Sequence, residues 1–181
     1  MSLTIATLIP AVLLLALGGA LLASGGGVAA ALKAFPRSRR GAYLCFGAGA
    51  VWFLLEVWNL SPVDFGDYRV PLFVGFAAIA ILAFKCVPDF LAVRGLCVLV
   101  LLGATPLLDA TYMHYEFLRR LWLVNGIIYV GIALALWFGA QPYRMRDFLE
   151  WLFARPGRAR GLGGLLAAYG LALAVIALTY R

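Results

Sequence analysis

Three times this sequence leaves an apolar run at a proline, passes through basic residues and enters the next apolar run at Arg-Gly. The crossings run from Pro36 to Arg40-Gly41, from Pro88 to Arg94-Gly95 and from Pro142 to Arg160-Gly161. Each joins two hydrophobic stretches near the roughly 20 residues that a membrane-spanning helix needs. The stretches predict helices over about 3–32, 41–60, 70–87, 90–112, 120–140 and 161–180. The third is apolar only from Val70 to Phe84 and reaches full length when Lys85 extends its ammonium to the headgroups. The expected fold class is all-α: a polytopic membrane protein, a single transmembrane domain in which a bundle of six transmembrane helices is arranged as three helical hairpins.

Composition points the same way. Hydrophobic residues make up 65% of the chain and charged residues 13%, with a mean hydropathy of +0.97. A soluble domain carries about 25% charged residues, so little of this chain is built to meet water. The first run lacks the positive start of a signal peptide, since no Lys or Arg precedes Lys33, and it is longer than a signal's apolar core. It is expected to be a retained helix.

The formal charge of +7 suggests a polyanion partner until its distribution is sorted. With the N-terminus placed outside, Lys33, Arg37, Arg39, Arg40, Lys85, Arg94, Arg144, Arg146, Arg155, Arg158 and Arg160 fall on the inner side. Only Arg69, Arg119, Arg120 and Arg181 fall on the outer side. Lys and Arg bias sets membrane orientation, so the basicity is a topology signal, with both termini outside an inner (plasma) membrane. It excludes a nucleic-acid role. It also implies anionic lipid on the cytoplasmic face as a partner, with Arg37, Arg39, Arg40, Arg144, Arg146, Arg158 and Arg160 at the headgroups. Cys45, Cys86 and Cys97 form no C-x-x-C pair and read as free thiols in a reducing compartment.

The hairpins read as a degenerate repeat. Glu56 lies fifteen residues after Gly41 and Asp109 fourteen after Gly95, while Val175 and Ile176 stand at those places after Gly161. The alternative is convergent punctuation, since any inner loop needs basic residues and helix breakers. Gly19, Ala23, Gly27 and Ala31 keep fourfold spacing on the first helix, as do Ala16, Ala20 and Ser24; the last helix pairs Gly163 with Ala167 and Gly164 with Ala168. Such rows let backbones approach closely, within the chain, in a homo-oligomer or against a larger complex. Gly25-Gly26-Gly27 is a place for the first helix to bend. Around 143–154, Met145, Phe148, Leu149 and Leu152 share one face. That predicts an interfacial helix resting in the headgroups, ended by Pro156-Gly157.

Ionisable groups inside a bilayer are costly and often functional, which singles out Glu56 and Asp109. At a rise of 1.5 Å per residue they lie about 24 Å and about 22 Å from Arg40 and Arg94. Both are therefore near the outer boundary of a core about 30 Å thick. Pro106 removes a backbone donor three residues before Asp109, and freed carbonyls beside a carboxylate suit a cation or proton site. Asn59 follows Glu56, and Asn125 faces the same region from the fifth helix. His114 and Glu116, in the short loop after Asp109, add ligand types that would suit zinc or manganese, without a recognisable ligand spacing. The alternative makes Glu56 and Asp109 rim carboxylates paired with Arg69, Arg119 or Arg120. Trp52, Trp58, Trp122, Tyr68, Tyr112 and Tyr115, with Trp137, Tyr143 and Trp151 at the other boundary, read as aromatic belts.

No H-E-x-x-H, G-x-S-x-G or P-loop occurs, and no cofactor is called for. The favoured expectation is a small transporter or channel for a cation, proton or small solute, with Glu56 and Asp109 at its outer mouth beside Asn59, Asn125 and Pro106. The alternative is a non-catalytic accessory or scaffold subunit of a larger membrane complex. A lipid-modifying enzyme is third.

Overall fold

The structure is a computed structural model. It describes residues 1–23, 25–61, 68–112, 114 and 117–180, with the side chain of Leu118 excepted. The described residues form helices and connections, with no strand among them. In chain order the helices are α1 (Leu3–Leu22), α2 (Gly26–Ala34), α3 (Arg39–Trp58), α4 (Arg69–Cys86), α5 (Leu91–Thr111), α6 (Leu118–Ala140), α7 (Tyr143–Phe153) and α8 (Pro156–Leu178). Six of them, α1, α3, α4, α5, α6 and α8, are long and apolar enough to cross a membrane.

Two boundaries depart from the sequence expectation. The expected helix over 3–32 is broken after Leu22 and restarts at Gly26. Three consecutive glycines each cost about 1 kcal/mol relative to alanine in a helix interior, and here the chain breaks instead of bending. The last helix begins at Pro156, not at Gly161, with the proline in its first turn. Proline is suited to that place because its missing N–H would have no intrahelical partner there. Pro156-Gly157 therefore opens α8 as well as closing α7, and Arg158 and Arg160 belong to α8 itself.

The chain divides into two units, Met1–Lys33 with Gly103–Leu134 and Arg146–Arg181, and Ala34–Leu102 with Ala135–Met145. In the first unit, α1 and α8 run antiparallel in backbone contact. A Cβ added to Gly18 would lie 2.7 Å from the Ala167 nitrogen, and one added to Gly170 would lie 2.9 Å from the Ala11 oxygen. Gly163 is equally confined, with the Gly18 oxygen 2.9 Å from its would-be Cβ. The seam thus follows Ala11 and Gly18 on α1, a different row from either expected one. Gly19 has open space around it, Ala16 and Ala23 are exposed, and the break after Leu22 takes Gly27 and Ala31 off the α1 helix. Ser24 lies outside the described residues. On α8, Gly163 and Ala167 join the seam while Gly164 stays open. Ala11 and Leu173 are fully buried with Val124, Ala104 and Ile128 of α5 and α6 around them. Leu149 and Leu152 of α7 are buried too, Leu152 against Leu21 and Ala159. The apolar face of α7 is therefore partly spent on the protein itself.

In the second unit, Ser38 caps α3, its Oγ accepting from the Gly41 N–H at 3.1 Å. A π-helical turn follows over Ala42–Phe46. It lies against α5 at Gly95, where an added Cβ would be 2.2 Å from the Phe46 nitrogen. Gly41 meets Ala92 and Gly49 meets Val98, so α3 and α5 leave this crossing in parallel. The glycines of the first two Arg-Gly entries are thus packing glycines, whereas Gly161 has open space around it. α4 runs antiparallel to α3 on ring contacts: Tyr43–Phe84 at 5.1 Å, Phe53–Phe76 at 5.1 Å and Trp58–Phe73 at 5.3 Å.

Candidate functional site

The last turn of α5 and the first half of α6 border an open cleft of about 500 Å³, within the range of small-molecule sites. From α5 come Leu108, Asp109, Thr111 and Tyr112; from α6 come Leu121, Trp122, Asn125, Gly126 and Tyr129. His114, in the connection, completes the lining. The α6 set recurs at three- and four-residue steps, which places it on one helical face. Among the described residues, Asp109 is the one charged residue in that lining apart from the titratable His114.

The polar atoms differ in how far they are satisfied. Thr111 Oγ1 donates to the Leu108 carbonyl at 2.8 Å. His114 Nδ1 lies 3.0 Å from the Tyr112 carbonyl oxygen. A carbonyl only accepts, which assigns the proton to Nδ1 and leaves Nε2 an acceptor in the neutral ring. The Asn125 side-chain oxygen is buried and has no partner among the described residues. A buried polar atom left unpaired costs about 1–3 kcal/mol, so this oxygen is one that a ligand or water would satisfy.

Basic groups nearby are turned to other work. Arg120 Nη1 donates to Thr179 Oγ1 at 3.0 Å and stacks on the Phe117 ring at 5.8 Å. Arg119 is exposed. Among the described residues, the ion pairs are those of Arg146 with Asp147 at 2.8 Å and Glu150 at 3.9 Å, so neither Asp109 nor Glu56 pairs with an arginine there. Pro106 is exposed and α5 runs on through it. Proline still deprives the Leu102 carbonyl of its amide donor.

Glu56 belongs to the other unit. Its carboxylate accepts from Trp52 Nε1 at 3.0 Å, one turn back on its own helix. Asn59 ends α3, its backbone N–H donating to the Leu55 and Glu56 carbonyls at 3.0 and 3.1 Å. Arg69 stacks on Trp58 with its guanidinium carbon 5.1 Å from the ring centre. Glu116 lies outside the described residues, and among the described residues no group of three His, Cys, Asp or Glu side chains is close enough to hold a metal ion.

Four of the seven arginines expected at lipid headgroups have aromatic or acidic neighbours. Arg37 lies 5.4 Å over Phe90, which sits at φ 59°, a backbone region costly for a bulky side chain. Arg144 lies 5.4 Å over Trp137 and hydrogen-bonds Gln141. Arg158 lies 4.4 Å over Trp151 and donates to its carbonyl. Arg39, Arg40 and Arg160 are exposed. The hydrogen bond and charge of Asp147 push the Arg146 guanidinium pKa above its ordinary value, with Glu150 adding to the effect.

No family model, curated protein or solved structure matches the chain. The reading of the cleft therefore rests on its own chemistry. Sequence reasoning had singled out Asp109, Asn125 and His114 but treated Trp122 and Tyr112 as belt residues and passed over Tyr129 and Gly126. The signal that finds them is spacing about Asn125: Leu121, Trp122 and Tyr129 stand at minus four, minus three and plus four on the same helix.

Proposed function

We propose that the chain is a multi-pass inner-membrane protein that binds and carries a small solute or cation, with the Asp109, His114 and Asn125 cleft as its binding site. The observation that carries this reading is the cleft itself: Asp109, which has no ion pair among the described residues, lines it together with Asn125, whose amide oxygen is buried with no partner among them. Membrane insertion is supported by the six apolar helices and by an exterior rich in bare apolar side chains, such as Leu44 at 72%, Ile81 at 67% and Leu178 at 72% exposure. Large exposed apolar side chains of that kind suit a lipid solvent or a protein partner.

Orientation follows from charge. Arg39 and Arg40 open α3, and Arg158 and Arg160 lie near the start of α8. Cations are unfavourable at a helix N-terminus, so their presence there supports selection for the cytoplasmic side and for contact with anionic headgroups. On this reading both termini lie on the outer side. A reporter active only in the cytoplasm, fused after Arg181, is expected to be silent; strong activity would reverse the orientation.

The functional test is uptake into proteoliposomes. Saturable, protein-dependent entry of a small cationic or polar solute supports a carrier, and flux equal to that of protein-free vesicles opposes it. The accessory-subunit reading has one observation in its favour. Gly19 and Gly27 carry no neighbour within 4 Å, leaving small-residue surface on α1 and α2 open to a second chain. Purification from native membrane in mild detergent separates the two readings, a stoichiometric partner supporting the subunit.

A further inference from the structure

We infer that the solute held in the cleft is a primary ammonium carried on a small apolar body, an inference that rests on reading the cleft as a solute site. Three of the groups lining it offer acceptors, beside neutral donors on the Asn125 amide, the Tyr112 and Tyr129 hydroxyls and the Trp122 indole. Asp109 supplies a carboxylate, Asn125 a buried oxygen with no partner among the described residues, and His114 an Nε2 lone pair once Nδ1 donates to the Tyr112 carbonyl. The Thr111 hydroxyl proton is already committed to the Leu108 carbonyl. Among the described residues no Lys or Arg stands in the lining. Such a site has negative charge and unused lone pairs, and it lacks cationic donors.

Each ligand class meets that inventory differently. An anion would face Asp109 with no counter-charge. A divalent metal would lack ligands, since no three His, Cys, Asp or Glu groups cluster among the described residues. A neutral alcohol brings one donor for three acceptors. An ammonium group brings three N–H donors and a positive charge, and hydrogen bonds between ionised partners are about twice as strong as neutral ones. Trp122 and Tyr129 add π faces that attract cations. Leu108 and Leu121 offer apolar wall to the rest of the molecule. A quaternary ammonium would satisfy the charge and the rings but leave the Asn125 oxygen without a donor.

The test is calorimetric titration of the full chain in lipid nanodiscs, against empty nanodiscs, with phenethylammonium chloride, 2-phenylethanol, sodium phenylacetate and manganese chloride. The expected result is saturable binding of phenethylammonium at one site per chain, at least about tenfold tighter than 2-phenylethanol. Asp109→Asn is expected to remove that preference. Should Asp109→Asn fail to fold, Asn125→Leu carries the test, with ammonium binding expected to weaken about threefold more than alcohol binding. Equal affinity for alcohol and ammonium, or binding of manganese or phenylacetate in place of the ammonium, would overturn the ligand class while leaving a solute site. Binding of none of the four above empty nanodiscs would overturn the solute site as well.

Discussion

Glu56 and Asp109 stand at nearly the same distance after an Arg-Gly entry, on helices that start alike, and their surroundings differ. Gly41 and Gly95 both lie in tight packing at the entry. Beyond it, the helix running beside α3 is α4, which presents phenyl rings, Phe76 on Phe53 and Phe73 on Trp58. Glu56 is answered from within its own helix by Trp52. Asp109 instead looks across to α6, where Gly126 leaves open space and Asn125 brings an unsatisfied oxygen. Equal spacing after an Arg-Gly entry therefore does not decide the surroundings of an acid; the neighbouring helix does.

The largest expected effect tests what the two regions share. Gly95→Val forces side-chain atoms into the backbone of the π-helical turn, and the cost is expected to be about 3 kcal/mol or more. Denaturant titration in detergent micelles reads it, with Gly161→Val as the silent control because its surroundings are open. If the two variants unfold together, the close crossing at Gly95 is wrong. Next comes the feature that separates the regions. Gly126→Leu adds a side chain where no atom lies within 4 Å, so the fold should survive while solute affinity drops about tenfold or more. Unaltered affinity would mean that the space beside Asn125 is not where the solute sits. The smallest effect belongs to the Glu56 side. Trp52→Phe deletes an exposed hydrogen bond and should cost no more than about 1 kcal/mol, with uptake unchanged. A marked loss of uptake would give Glu56 a role like that of Asp109.

What the sequence revealed and what it hid divide along physical lines. Long apolar runs interrupted by Arg, Pro and Gly are a local signal, and the six long helices lie close to where hydropathy puts them, from Arg39–Trp58 to Leu118–Ala140. Asp109, His114 and Asn125 were legible as neighbours because a short connection brings α5 back as α6. Pairing of α1 with α8 has no local signal at all, since it joins the two ends of the chain. The choice of Gly18 over Gly19 for the seam was hidden for a similar reason: several rows of small residues satisfy the same spacing, and only the partner helix selects one. The break at Gly25 and the start of α8 at Pro156 turn on residues that serve equally to bend, end or begin a helix. The π-helical turn at Ala42–Phe46 answers a contact with Gly95 about fifty residues away and leaves no mark in its own sequence.

The central claim is that, of two acids at like spacing after an Arg-Gly entry, Asp109 and not Glu56 is the binding group. Uptake of a radiolabelled primary ammonium into proteoliposomes, with Glu56→Gln and Asp109→Asn reconstituted side by side at matched protein density, tests it most directly. Asp109→Asn is expected to lower uptake about tenfold or more, and Glu56→Gln to stay within about twofold of the parent chain. Equal losses in both variants, or a loss confined to Glu56→Gln, would contradict it.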